Sequence, residues 1–251
     1  MKAVKNGPVT FLTWTMKSEG KSDLYLQIID LQGNPVFEES GKKINYGDGP
    51  AYPTGGVAMT PAADGGVFVL YGDTREDPDD MKQQPFIYKI DASGDIVSTA
   101  EGIAIPDSYG ATKYSFVNTG SSILVAYDIN AEGTYTAYTH LCRIDSDGTP
   151  EATVTLPGGN AGIVPSGDGF LTACVLNNNI MAQLYDAELN PVWDTPLTVK
   201  EKTAMWGALT VYSDGNGGMY LPYEYTDELY QSHFPLAHIS ATGNIEAELL
   251  Q

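Results

Sequence analysis

One short pattern recurs five times along this chain: a run of β-formers, then Asp, two residues, Gly, and more β-formers. The first copy spans Tyr25 to Phe37 around Asp30 and Gly33, and the second spans Phe86 to Val97 around Asp91 and Gly94. The third carries Asp145 and Gly148, the fourth Asp186 with Leu189 in the glycine slot, and the fifth Ser240 and Gly243. Asp at the first turn position can bind its own following backbone, and Gly supplies a positive φ, so each copy reads as a hairpin. In the fourth copy Asn190, next to Leu189, is expected to carry the unusual backbone angle.

A second pattern alternates with the first. Its copies are the glycine-led apolar runs Gly7 to Trp14, Gly65 to Tyr71, Gly120 to Tyr127, Gly167 to Cys174 and Gly217 to Tyr223. Short β-forming runs precede them at Ala3–Val4, Val57–Met59, Tyr114–Val117, Ala161–Val164 and Ala208–Tyr212. Apolar runs this continuous suit strands covered on both faces. Taking Thr10, Val67, Ile123, Phe170 and Met219 as equivalent, the spacings are 57, 56, 47 and 49 residues. Each unit then holds four strands in an up-and-down meander, which is the period of propeller blades. A lone blade cannot cover its two apolar faces, whereas a ring of blades covers each with a neighbour. No helical periodicity competes.

The expected fold is therefore an all-β propeller of five four-stranded blades in one domain. The blades fall at about 1–44, 57–105, 114–157, 161–199 and 207–251. Strand one of the first blade and strand four of the last lie at the two ends, so no strand is left to interlock them. A ring closed by packing is the expectation, and a piece of a longer propeller the alternative.

The repeat resembles one common in secreted and surface proteins of Bacteroidetes-type bacteria. Asp64-Gly65-Gly66-Val67 through Tyr71, Asp73 and Arg75 match it best, with Tyr25, Gln27 and the Asn34–Phe37 type of hairpin. The likeness weakens in the fourth and fifth copies, where Arg75 and Gly94 have no clear counterparts. It implies the fold and an exported, cell-surface or periplasmic location, but no activity.

Thirteen basic against 32 acidic residues give a net charge of −19, a field that repels phosphate backbones and anionic lipid. Nucleic-acid binding is excluded on that ground, and no apolar run is long enough to span a bilayer. The start, Met1 to Gly7, lacks the apolar stretch of a signal peptide. That fits a cytoplasmic protein or a mature domain whose leader has been removed. Cys142 and Cys174 fall on different types of strand, so two buried free thiols are expected, a bridge being the alternative. A monomer is expected.

In such a fold the loops after the second and fourth strands share one face, where ligand sites gather. The fourth-strand loops carry Tyr52, Tyr109 and Trp206, and the second strands end in Trp14, Tyr71, Tyr127 and Tyr223. Polar or acidic groups follow: Asp73, Asp128, Glu224 and Tyr225. Aromatic faces beside carboxylates suit carbohydrate, because sugar C–H faces stack on rings while hydroxyls bind carboxylates. Trp206, Tyr52, Tyr109 and Tyr225 are the expected ligand residues. Recurrence of Trp14, Tyr71, Tyr127 and Tyr223 at one position fits packing between blades instead. The acidic run from Asp73 to Asp80 invites a calcium reading but lacks the spacing and central Gly of an EF-hand loop. A solvated loop is expected there, with no metal or cofactor. His140, His233 and His238 make no metal-ligand spacing, and no nucleophile or phosphate-binding motif occurs.

The reading is a non-catalytic binding propeller for a glycan or a protein. The alternative is a five-bladed glycoside hydrolase using Asp73, Asp128 and Glu224, whose carboxyls would need the separations of glycoside hydrolysis.

Overall fold

The computed structural model describes residues 1–18, 21–46, 57–75, 82–120, 122–130, 137–201, 209–227 and 229–249. Within them the chain is built of strands, with no helix. They form five four-stranded antiparallel sheets and one two-stranded ribbon. The first sheet holds β1 (Lys2–Asn6), β2 (Val9–Ser18), β3 (Lys21–Ile29) and β4 (Lys42–Lys43) in sequence order. The second repeats this with β5 (Val57–Pro61), β6 (Val67–Asp73), β7 (Gln84–Ile90) and β8 (Ile103–Ala104). The third comprises β9 (Lys113–Asn118), β10 (Ile123–Asn130), β11 (Ala137–Ile144) and β12 (Pro150–Thr155). The fourth comprises β13 (Gly159–Ser166), β14 (Gly169–Leu176), β15 (Asn179–Tyr185) and β16 (Leu197–Lys200). In the fifth, β17 (Tyr212–Ser213) and β18 (Met219–Pro222) are followed by the ribbon, β19 (Tyr225–Thr226) and β20 (Ser232–His233). The sheet then resumes with β21 (Pro235–Ile239) and β22 (Ile245–Leu249).

The chain divides into two compact units: Met1–Phe116 with Ile123–Ile129 and Cys142–Glu151, and the remainder. In the first unit β6 is buried from end to end. Its alternate residues serve two cores, as strand geometry requires. Val67, Val69 and Tyr71 pack with Phe11, Leu26 and Ile28 of the first sheet. Phe68 and Leu70 pack with Val125, Tyr127 and Cys142 of the third. The second unit has its own core, in which Leu171, Ala173 and Ala182 meet Met219, Leu221 and Ile239. Cys142 and Cys174 are both buried and are not bridged to each other, and burial pushes the Cys174 thiol up to about 11.

The repeated turn forms as its residues dictate. Asp30, Asp91, Asp145 and Asp186 each accept backbone N–H bonds two and four residues ahead on one carboxylate oxygen. The Ser240 hydroxyl takes the corresponding bond from Asn244. The fourth position then adopts positive φ: 85° at Gly33, 86° at Gly94, 89° at Gly148 and 83° at Gly243. In the fourth sheet it is Leu189, not Asn190, that adopts it, at 68°. The side-chain-bonded turn sets that angle whatever residue stands there. A leucine there costs about 1 kcal/mol of backbone strain, and its side chain is buried.

Two expectations of regular hairpins are corrected. In the first, second and fourth sheets the turn is followed by a single bridge (Ile29 to Pro35, Ile90 to Ile96, Tyr185 to Pro191) and an irregular stretch. Only then does the last strand pair. In the first sheet Gln27 replaces the missing ladder: its amide donates to the Phe37 and Glu38 carbonyls and its oxygen accepts from Phe37 N–H. Gln183 likewise donates to the Trp193 carbonyl at 2.8 Å. The other correction concerns 208–212, where among the described residues the strand begins only at Tyr212.

Candidate functional site

The connections that follow the second strand of each sheet carry most of the residues expected to act. In the second sheet β6 ends in Asp73, which is fully buried. Arg75 is two residues on, and its Nε lies 2.9 Å from each Asp73 carboxylate oxygen, with Nη2 also donating to Oδ2. Nη1 donates to the Glu101 carbonyl at 2.6 Å and Nη2 to the Tyr88 hydroxyl at 2.8 Å. The guanidinium lies 3.8 Å from the Phe86 ring centroid and 5.1 Å from that of Tyr46. Burial works against the charge on Arg75, but its interactions with Asp73 and Tyr88 together outweigh it and hold the group above its ordinary range. Below this node Gly72 N–H donates to the Tyr114 hydroxyl at 2.8 Å. A Cβ at Gly72 would lie 2.7 Å from that oxygen, so any other residue would have to displace the Tyr114 hydroxyl. Burial raises the Tyr71 and Tyr114 hydroxyls well above the usual tyrosine range.

Asp128, in β10, is also buried, with Lys113 Nζ 3.9 Å from its Oδ2. Tyr109 is 38% exposed, and Lys82 Nζ lies 5.7 Å from its ring centroid. Tyr71 and Tyr127 are core residues. Trp14 stacks on Tyr25 with centroids 6.1 Å apart. Tyr52, Trp206 and the acidic residues at 76–80 lie outside the described residues.

In the fifth sheet the same connection leaves the blade as the β19–β20 ribbon. Glu224 at its base is exposed. The Tyr225 ring is occupied by its neighbours: His233 stacks on it at 4.8 Å and Lys200 Nζ lies 3.9 Å from its centroid. His233 Nε2 donates to Asp227 Oδ2 at 2.9 Å, and that bond holds the Asp227 carboxyl below its ordinary value. Asp227 Oδ1 accepts from Leu229 and Gln231 N–H at 2.8 and 2.9 Å. This is the Asp-x-x-Gly turn of the repeat with Tyr230 in the glycine position, at φ 60°. Tyr230 is 91% exposed, Leu229 76% and Phe234 56%.

Sequence reasoning named Tyr225 and Glu224 but passed over the turn that follows them, because that turn lacks glycine. The spacing Asp227 to Tyr230, between Tyr225 and His233, was the available signal. In the fourth sheet a shallow groove of about 420 Å³ opens beside the turns, lined by Asp168, Asp186 and Glu188 with Leu184, Tyr185 and Val192. Among the described residues no three His, Cys, Asp or Glu side chains gather closely enough to hold a metal ion. No described helix is long and apolar enough to cross a membrane.

No family model matches the sequence, and no curated protein does either. Among solved structures the chain is similar to a polysaccharide lyase, ulvan lyase, bound to -[GlcA(1-4)Rha3S]-. The TM-score is 0.58 at 9% identity, over 98% of this chain and 69% of the lyase. It is similar to the α-L-arabinofuranosidase of Fusarium graminearum with arabinobiose: TM-score 0.52, 7% identity, 97% of this chain and 72% of that one. The acylaminoacyl peptidase of Pyrococcus horikoshii gives 0.56 at 8% identity, over 98% of this chain but 38% of the peptidase. Likeness at such identities concerns the fold, and the fold is the β-propeller.

Proposed function

We propose that this chain is a non-catalytic binding propeller of an exported protein, monomeric, taking a glycan or a protein partner on its second- and fourth-strand loops. The observation that supports it most is the state of Asp73. Its side chain has no exposure and both its oxygens are engaged by Arg75, so it offers no carboxyl to a substrate. Large apolar side chains exposed on the described loops include Tyr109 in one unit and Leu229, Tyr230 and Phe234 in the other. Trp206 and Tyr52 complete the proposed set from the sequence.

The test is a binding screen against polysaccharides run beside an assay for chain cleavage. Binding without new reducing ends or unsaturated products is expected. Cleavage lost in Asp128→Asn or Glu224→Gln would overturn the reading in favour of a glycoside hydrolase. The specific observation on that side is that the lyase and arabinofuranosidase resemble this chain over nearly its whole length.

A further inference from the structure

The ribbon of the fifth sheet places a large aromatic ring where the fold gives it nothing to do. Four of the five repeat turns put glycine at the positive-φ position, and the fifth puts there a leucine that is 5% exposed. Tyr230 stands in the same turn at φ 60° and is 91% exposed. It bears the strain of the left-handed region, which tyrosine rarely adopts, without burying its ring. Strained residues cluster at functional sites, so strain that packing does not offset makes Tyr230 a candidate for binding.

The ribbon beneath is braced. Asp227 ties the turn through Leu229 and Gln231 N–H and the strands through His233. Tyr225, clasped by His233 and Lys200, joins the ribbon to β16. Tyr225 is thus a positioning residue, and Tyr230 is the ring left free. Leu229 and Phe234 extend the apolar face, while Glu224, Gln231 and Ser232 offer exposed polar groups. A flat ring with acceptors and donors beside it suits a sugar ring, whose C–H face stacks and whose hydroxyls bond.

Resting on the binding function above, we propose that the β19–β20 ribbon stacks Tyr230 on a neutral polysaccharide chain. Charge decides for neutral: a net charge of −19 repels uronate and sulfate chains.

Native electrophoresis through gels holding arabinan, xylan or mixed-linkage β-glucan, and separately polygalacturonate or ulvan, tests this. The protein should be retarded by at least one neutral polymer. Tyr230→Gly should weaken that retardation about tenfold, equivalent to about 1.4 kcal/mol, with no fall in melting temperature, while Tyr230→Trp should keep it. Equal retardation of Tyr230→Gly would overturn the stacking role of the ribbon and leave glycan binding standing elsewhere. Retardation by the anionic polymers alone would overturn the neutral class. No retardation by any polymer would overturn the carbohydrate assignment, and cross-linking of a protein partner at position 230 would then mark the ribbon as a protein-binding tip.

Discussion

The second and fifth sheets use the same connection in opposite ways. After β6 the chain turns its charge inward: Asp73 has no exposure, and Arg75 binds it while resting on Phe86. After β18 the chain turns its aromatics outward, on a ribbon whose tip is Tyr230. Both connections depend on an aspartate with a basic partner within a few residues. The difference lies in what surrounds the pair. Asp73 follows a strand buried along its whole length, so its charge must be neutralised in place. Asp227 follows a strand of which Tyr220 is already 39% exposed, so its charge can organise a turn in water. The same connection of the repeat thus gives a rigid core node or a presenting loop, depending on whether the preceding strand is covered.

If that contrast is right, removing the cation should be severe in one sheet and mild in the other. Arg75→Ala leaves a buried carboxylate unpaired and should cost about 3 kcal/mol or more. In a melting experiment that is a fall on the order of 10 °C for a chain of this size. Replacing both members, Asp73→Leu with Arg75→Met, should recover most of the loss, since no charge is then stranded. Lys200→Ala, beside the ribbon, should shift the melt by less than about 4 °C, because a half-buried cation over a ring contributes about 1 kcal/mol. Equal losses in the two single variants would break the comparison.

The turns sharpen it. Leu189 and Tyr230 both occupy a glycine position with positive φ, one buried and one exposed. Leu189→Gly relieves about 1 kcal/mol of strain but removes a buried side chain that contributes about 3 kcal/mol. A net loss of about 2 kcal/mol is expected by chemical denaturation. Tyr230→Gly relieves similar strain and removes nothing buried, so it should stabilise by about 0.5 kcal/mol after the added freedom of the unfolded chain is counted. Opposite signs at equivalent positions are the expected result.

How much of this could be read in the sequence follows the range of the interactions. The repeat, the strand types and the turns were legible because Asp30, Asp91, Asp145 and Asp186 fold their turns through their own side chains, within four residues. The positive φ at Leu189 was missed because the turn's bonds impose it and the residue's own preference does not show it. The excursions after three of the turns were missed because Gln27 and Gln183 act across ten residues. Asp73 and Arg75 stood out as a matching pair, yet their burial against Phe86 depends on a neighbouring strand. Tyr225 was legible as an aromatic beside acids, but its clasp by Lys200 from β16 was not. On the same ribbon Tyr230 is the ring that is 91% exposed.

The smallest effect concerns acid. Asp214 and Asp227 each accept from a histidine, His238 and His233, at 2.9 Å. That bond is the main reason each carboxyl lies below its ordinary value of 3.8. A carboxyl depressed in the folded state contributes stability that is complete above its unfolded value and lost as pH falls through the folded one. The loss therefore belongs below pH 3.8, not near the histidine range. Asp214 has 9% of its side chain exposed and Asp227 30%, so solvent screens the first less. Asp214→Asn should flatten the fall in melting temperature between pH 5 and pH 2.5 by no more than about 3 °C, and Asp227→Asn by less. A larger change at Asp227 would mean that the ribbon is packed more tightly than its exposed tip implies, and the contrast with the second sheet would narrow.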